Sequence, residues 1–142
     1  MTGSEEHAET PGDAAERRSA GQFEDPRSPG DRVLRDISAG MVRLYKEHFG
    51  RGPEAVETHF ASPNLLVCIL TNSLTPVERN LRDIGETQRL RDIRTLFQHV
   101  TEPQFRAIVE TVSGRRVIGF MSGIDVNVDE SCEVFTLAAA ES

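Results

Sequence analysis

Residues 50–53 read Gly-Arg-Gly-Pro and mark the point at which the sequence changes from a helical to a strand-like pattern. Before them, apolar residues recur at helical spacing and predict an amphipathic helix from Asp31 to Phe49. Gly50 suits the left-handed conformation that often follows the last residue of a helix, and Pro53 cannot continue the helix. After them, the chain alternates apolar and polar residues as β-strands do. These four residues therefore separate a first helix from a sheet.

The rest of the chain contains signals for four strands and two further helices. Thr75-Pro76-Val77-Glu78 is a complete capping box and begins a short helix that ends near Gly85. A longer helix follows, and Pro103 interrupts it where residues 101–104 can cap a fresh helical start. Its predicted apolar stripe is Leu90, Ile93, Phe97 and Val100. Strands are predicted at 55–61, 65–71, 115–121 and 131–137.

This order, α-β-β-α-α-β-β, predicts an α+β domain with a four-stranded, mainly antiparallel sheet packed with helices. The domain is expected to span residues 31–138. Residues 1–30 contain no Val, Ile or Leu and hold three basic and seven acidic residues, so we expect a disordered acidic tail. Residues 139–142 are interpreted as a short C-terminal tail.

Composition limits the classes of function. The net charge of −7 lacks the excess of positive charge typical of phosphate binding, so nucleic acid is not an expected partner. The longest aliphatic run, residues 65–70, is far shorter than the ~20 residues that span a bilayer. No signal peptide is visible, and we expect a cytoplasmic protein without direct membrane insertion. Cys68 and Cys132 lie in apolar stretches, which favours reduced core thiols over a disulfide.

The strand at 65–71 is apolar on both of its faces. Leu65, Val67 and Ile69 lie on one face, and alternate residues of equal hydrophobicity lie on the other. Either the helices wrap both faces of the sheet, or the second face meets a partner, most simply another copy of the chain. Gly40, inside the first helix, indicates the close approach of another backbone in the core or across a dimer contact. The second reading predicts a homodimer with these four residues at its interface.

The turn at residues 50–53 also allows a chemical hypothesis. Gly50 and Gly52 expose backbone N–H groups, and Arg51 adds a cation, which together can bind an anion. The C-terminal end of a helix carries the wrong dipole for that role. The alternative is a structural turn that directs the chain from helix to sheet.

The sequence contains no catalytic or metal-binding constellation. Residues 125–130, Asp-Val-Asn-Val-Asp-Glu, resemble the start of a calcium loop, but Glu130 stands where glycine is required and Thr136 where glutamate is required. No His or Cys pair has the spacing of metal ligands. We therefore expect no metal, no cofactor and no enzyme activity. The densest basic cluster is interleaved with acidic residues and comprises Arg79, Arg82, Arg89, Arg91 and Arg94. This pattern favours a solvated helical surface, and the alternative is a docking face for an acidic partner or a ligand phosphate.

Five segments together resemble the MpsC-like domain, a bacterial family long of unknown function. They are YKEHFGRGP (45–53), LLVCIL (65–70), LTPVE (74–78), SGRRVIGFMS (113–122) and SCEVFTL (131–137). The family name implies association with a Na⁺-translocating membrane potential-generating system whose transport subunits are separate membrane proteins. The resemblance thus implies a soluble accessory or regulatory domain with an integral membrane transport partner. The alternative hypothesis is a sensor or enzyme for a small anionic ligand that uses the turn at Gly50–Pro53.

Overall fold

The computed structural model describes residues 29–140. The chain divides into two compact units after Val33, and the first unit is described only at residues 29–33, which are helical. The architecture below is therefore that of residues 34–140. The predicted tail at 1–30 lies outside the described residues except for its last two, as do residues 141 and 142 of the predicted C-terminal tail.

Three helices and four strands follow one another in the predicted order. They are α1 (Pro29–Phe49), β1 (Ala55–Ser62), β2 (Leu65–Thr71), α2 (Pro76–Asp83), α3 (Thr87–Ser113), β3 (Val117–Asp125) and β4 (Glu130–Leu137). The strands form one antiparallel sheet in the order β1-β2-β4-β3. The structure confirms the predicted α+β fold.

The two hairpins of the sheet join through their second strands. β2 pairs with β4 along its whole length, so that Cys68 lies opposite Glu133 and Leu70 opposite Ser131. β3 then adds the outer edge, with Ser122 opposite Glu133. Strands β2 and β4 are therefore central, and both hairpins depend on their pairing.

The helices cover one face of this sheet, which we call the inner face. Leu66, Cys68 and Leu70 on this face are completely buried. A series of aromatic contacts connects the helices to the sheet, with ring centroids 5.2–6.1 Å apart. It comprises Tyr45, Phe97, Phe105, Phe120 and Phe135. The core of the domain lies between α1, α3 and the inner face.

Helix α1 begins two residues before the predicted start. Pro29 is its first residue, and Asp31, the predicted start, lies in its first turn. Proline is well suited to the first helical positions, because the N–H that it lacks has no partner there.

Helix α3 is continuous from Thr87 to Ser113, so the predicted interruption at Pro103 is wrong. Pro103 cannot donate to the carbonyl of His99, but its position is exposed and solvent can accept that carbonyl. The predicted apolar stripe is also wrong in part, because Ile93 is 43% exposed and Val100 is 67% exposed. The face that is buried instead consists of Leu90, Arg94, Gln98, Thr101, Phe105 and Val109.

Strand β3 begins later and extends further than the predicted range 115–121. Arg115 lies before the strand, where its guanidinium donates to the carbonyls of Pro63 and Ala138 at 2.8 Å. These contacts link the start of β3 to the turn between β1 and β2 and to the residue that follows β4. The polar loop between β3 and β4 is correspondingly short, residues 126–129.

Candidate functional site

The face of the sheet opposite the helices is apolar along its two central strands. Because alternate residues of a strand point to the same side, the register places Val67 beside Val134 and Ile69 beside Cys132. Met121 on β3 extends the row of Val67 and Val134. We call this surface the open face, and its apolar members are Leu65, Val67, Ile69, Met121, Cys132 and Val134.

The open face is accessible, although less than a typical protein surface. Met121 is 61% exposed, and the other five side chains are half-buried by their neighbours in the sheet. A shallow groove of about 490 Å³ runs along it between Val67, Ile69, Gly123 and Cys132. Polar residues border the apolar strip, with Glu57 and His59 on β1 and Glu130 at the end of β4. An apolar centre with a polar edge is the usual arrangement of a protein interface.

The structure gives the turn at residues 50–53 a structural contact. Gly50 has a φ of 81° and its N–H donates to the carbonyl of Lys46 at 2.9 Å, as expected of a helix terminator. Arg51 Nη1 donates to the carbonyl of Leu74 at 2.6 Å. Gly52 lies so close to α1 that a Cβ there would stand 3.0 Å from Val42 Cγ1. The turn thus fastens the end of α1 to the segment that precedes α2.

The segment that precedes α2 is also held in place by the loop between β3 and β4. The carboxylate of Asp129 accepts the N–H groups of Ser73 at 2.9 Å and of Leu74 at 3.2 Å. Arg79 adds a second guanidinium to the carbonyl of Leu74, at 2.9 Å. The one acidic residue of this loop, Asp129, is therefore engaged in backbone contacts. Among the described residues no group of His, Cys, Asp and Glu side chains is placed to hold a metal ion.

The close contact at Gly40 lies within the chain and involves a side chain, not the other backbone that the sequence predicted. A Cβ at this position would stand 2.7 Å from Cγ2 of Ile108, so α1 and α3 pack here at a distance that only glycine allows without adjustment. This contact accounts for the glycine without a dimer, and Gly40 gives no support to an interface.

Beneath the helices lies a buried ion pair that the sequence did not reveal. Arg94 is 1% exposed, and its Nε and Nη2 atoms each lie 2.7 Å from one oxygen of Glu78. Glu78 also accepts the N–H of Thr75, because it completes the predicted capping box. Burial tends to raise the pKa of Glu78, but the bonds from Arg94 and Thr75 outweigh it and hold that pKa below its ordinary value. The guanidinium is stacked over the Phe49 ring at 4.1 Å.

A second buried carboxyl group, that of Glu133, has far fewer partners. Its side chain is completely buried, and Tyr45 Oη donates to its Oε2 at 2.7 Å. Its Oε1 has no hydrogen-bond partner. Burial raises the pKa of Glu133 to about 7, against the opposing effects of Tyr45, of the nearby Ser122 and Gln98, and of Arg94. Burial and the neighbouring Glu133 likewise raise the pKa of Tyr45 well above its ordinary value.

Arg94, Gln98 and Glu133 were not identified as site residues from the sequence. Arg94 was assigned to the solvated arginine cluster, of which Arg82 and Arg89 do form surface ion pairs, with Asp83 and Glu86 at 3.2 Å. The signal that could have found Glu133 is strand alternation, since it shares a face with Phe135. For Arg94 it is helical spacing from Leu90.

The two cysteines lie on opposite faces of the sheet and are both free thiols. Cys68 is fully buried on the inner face, and burial raises the pKa of its thiol to about 12. Cys132 is half-buried on the open face, so the expectation that both thiols belong to the core is wrong for Cys132. Burial and the adjacent Glu133 raise the pKa of its thiol.

Comparison with known families identifies the chain. Residues 31–139 match the family described as Na⁺-translocating membrane potential-generating system (MpsC). The match covers most of the chain, and the chain therefore belongs to this family, in agreement with the resemblance seen in its sequence. No curated protein matches the chain. No solved structure matches it either. Within residues 29–140, no helix is both long enough and apolar enough to span a membrane.

Proposed function

We propose that this member of the MpsC family is a non-enzymatic cytoplasmic interaction domain that forms a homodimer through its open face. In this proposal the dimer is an accessory to a Na⁺-translocating membrane potential-generating system. The observation that carries the proposal is the continuous apolar strip of β2 and β4, with Val67, Ile69 and Val134 at its centre. Contiguous apolar surface of this kind is a marker of protein interaction.

A second copy of the chain is the simplest occupant of this surface. A flat sheet face is self-complementary under two-fold symmetry, because each strip can lie across the same strip of its partner. The polar residues Glu57 and Glu130 would then lie at the edge of the contact, where solvent can reach their charges.

The size of the open face sets the expected strength of the dimer. Four strands spaced ~4.8 Å apart and seven to nine residues long give a face of roughly 500 Å². This projected area is below the ~800 Å² per partner of a standard stable interface. We therefore expect reversible association that depends on protein concentration, rather than an obligate dimer.

The family description supports the second part of the proposal. It names a Na⁺-translocating system, and we propose an integral membrane transport partner for the dimer. Such a partner would bind a surface other than the open face if the dimer persists in the complex. If instead the partner displaces the second copy, the two compete for Val67 and Ile69.

The test is light scattering coupled to size-exclusion chromatography across a concentration series. The wild-type chain should shift toward twice the chain mass of 15.7 kDa as its concentration rises into the micromolar range. Val67→Asp places a charge at the centre of the open face and should keep the chain monomeric. Val100→Asp is the matched control, because Val100 is 67% exposed on α3 and should leave association unchanged.

Circular dichroism must show that both variants are folded. A wild-type chain that stays monomeric throughout the series would refute the homodimer. Association lost in Val100→Asp but retained in Val67→Asp would move the interface to the helices. The membrane partner is tested separately, by photo-crosslinking in native membranes from position 69, with position 100 as the control. A partner that displaces the second copy should crosslink from position 69, whereas one that binds the persisting dimer should not.

A further inference from the structure

Glu133 and the groups around it form a buried polar cluster between β4, β3 and the two long helices. The register places Glu133 beside Ser122 on β3, and Ser131 follows on the same face of β4. Gln98 approaches from α3 and Tyr45 from α1. All of these side chains are buried except that of Ser122, which is half-buried.

This cluster contains most of the buried side-chain atoms without a hydrogen-bond partner in the described part of the chain. They are Glu133 Oε1, Ser122 Oγ, Ser131 Oγ, Gln98 Nε2 and Arg94 Nη1. A buried polar atom without a partner is destabilising, so several in one place are an uncommon feature of a native core. Their concentration around one carboxyl group indicates that the protonation state of this group affects the stability of the core.

The charges beneath the helices do not balance when Glu133 is ionised. Arg94 is the cation that faces the cluster, and Glu78 already binds two of its nitrogen atoms at 2.7 Å. Glu78 and Arg94 together are neutral. Ionised Glu133 would add an unpaired negative charge in the interior, where desolvation makes a lone carboxylate very costly.

The other titratable groups that face Glu133 do not supply a positive charge. Tyr45 is a neutral phenol, and its raised pKa keeps it neutral. Cys68, its neighbour on β2, has a pKa of about 12 and remains a thiol. Cys132, next to it on β4, lies on the open face and also has a raised pKa. A proton on the carboxyl group itself is the remaining way to neutralise the cluster.

We propose that Glu133 is a proton-binding site of the domain core, and that release of its proton lowers the stability of the fold. Since Tyr45 donates to Oε2, the proton resides on Oε1. There it gives the carboxyl group a donor, and the hydroxyl group of Ser122, the cross-strand neighbour of Glu133, is a nearby acceptor. This role goes beyond the proposed interaction function and holds whether or not the domain self-associates.

The direction of the pH dependence follows from the raised pKa. Between about 4.5 and about 7 the folded chain holds a proton at Glu133 that the unfolded chain has released. The contribution of this group to stability is therefore complete below pH 4.5 and is lost as the pH rises through about 7. Within this window the folding equilibrium constant falls by up to tenfold for each pH unit. The domain would thus respond to pH changes close to neutrality.

A nuclear magnetic resonance titration of the full chain tests the proton site directly. With ¹³C-labelled glutamate, one side-chain carboxyl resonance should titrate near pH 7 and should be missing in Glu133→Gln. Ordinary glutamates titrate near pH 4.3. If every glutamate of the folded chain titrates below pH 5.5, the proposal is wrong. Through-bond assignment in the wild-type chain gives the same answer should the variant fail to fold.

Urea unfolding between pH 5 and pH 8 tests the consequence for stability. The folding equilibrium constant of the wild-type chain should fall across this range. Glu133→Gln should not show the part of this fall that is due to Glu133. Glu130→Gln is the matched control on the same strand, because Glu130 is exposed and should leave the profile as in the wild type. Parallel profiles for the wild type and Glu133→Gln would overturn the proposal. The dilute monomer is used, so failure of the homodimer cannot produce the same result.

Discussion

Strand β4 presents a carboxyl group to the helices and apolar side chains to the opposite side. Glu133 is completely buried on the inner face, whereas its neighbours Cys132 and Val134 lie half-buried on the open face. In an ordinary two-layer domain apolar residues lie beneath the helices and polar residues face solvent, and residues 131–134 of β4 reverse this alternation. The two faces of this sheet therefore differ in a way that ordinary packing does not explain.

The difference indicates that each face carries something besides fold stability. A buried polar cluster costs free energy unless its groups are satisfied, and replacing it by apolar residues often stabilises a protein. An accessible apolar strip likewise costs free energy unless it is covered. We interpret the inner face as a site that binds a proton and the open face as a surface that binds a partner.

The largest expected effect comes from the ion pair beside the inner face. Arg94→Ala leaves Glu78 buried without its partner and should lower the free energy of unfolding by about 3–5 kcal/mol. Urea unfolding at pH 7 measures this loss. Arg89→Ala, which removes the exposed pair with Glu86, should cost less than about 1 kcal/mol. Equal losses in the two variants would show that the buried pair has no special role.

Variants at two neighbouring residues of β2 allow a direct comparison of the two faces. Leu70 is completely buried on the inner face, and Leu70→Ala should cost about 2–5 kcal/mol in the free energy of unfolding. Ile69→Ala, on the open face, should cost clearly less in the dilute monomer, because its side chain is already partly exposed. At higher concentration the same Ile69 variant should associate less than the wild type. An Ile69 variant as unstable as that of Leu70 would mean that the open face is covered within the monomer.

The hydrogen bond from Tyr45 to Glu133 should show an effect that depends on pH. Tyr45→Phe keeps the ring contacts but removes the donor, so it should raise the pKa of Glu133 further. We expect a loss of about 1.5–3 kcal/mol above pH 8, where the bond is to a charged group, and about 0.5–1.5 kcal/mol at pH 5. Unfolding measured at both pH values tests this difference. A loss that does not change with pH would argue against a titrating carboxyl group at this position.

The smallest expected effect is a difference in reactivity between the two thiols, one of which lies on each face of the sheet. Cys132 should react with a maleimide in the native state, whereas Cys68, buried and with a pKa of about 12, should react only on unfolding. Mass spectrometry of the labelled chain measures both rates, and Cys132→Ser confirms the assignment. Higher protein concentration should slow labelling of Cys132 if the open face forms the dimer. Labelling that does not depend on concentration would place the dimer contact elsewhere.

Local signals in the sequence predicted much of the fold. The capping box at Thr75–Glu78, the left-handed glycine at position 50 and the alternation of β2 each act over a few residues, and all three are present in the structure. Pro103 was misinterpreted because its cost depends on exposure and on the packing of the rest of α3, which local pattern does not contain. The stripe of α3 was misassigned for a related reason, since its true buried face includes Arg94 and Gln98.

The candidate site residues were likewise predictable from the sequence only in part. The apolar character of Leu65, Val67 and Ile69 was evident from alternation, but which face of the strand lies under the helices was not. Arg51 was predicted as an anion ligand from its turn, and only the structure shows that its guanidinium donates to the carbonyl of Leu74. Gly40 indicated a close contact, and the structure supplied Ile108 as its partner.

The sequence by itself determined the order of elements, the antiparallel sheet and the family. These depend on periodicity, turn residues and short motifs, all of which are formed by residues close together in the chain. Only the tertiary structure decided that β2 pairs with β4, and that the register of β3 with β4 places Ser122 beside Glu133 beneath the helices. It also decided that Glu78, 16 residues before Arg94, neutralises that arginine and leaves Glu133 without a cation. The physical reason is that burial and charge pairing depend on distances in space between residues far apart in the chain.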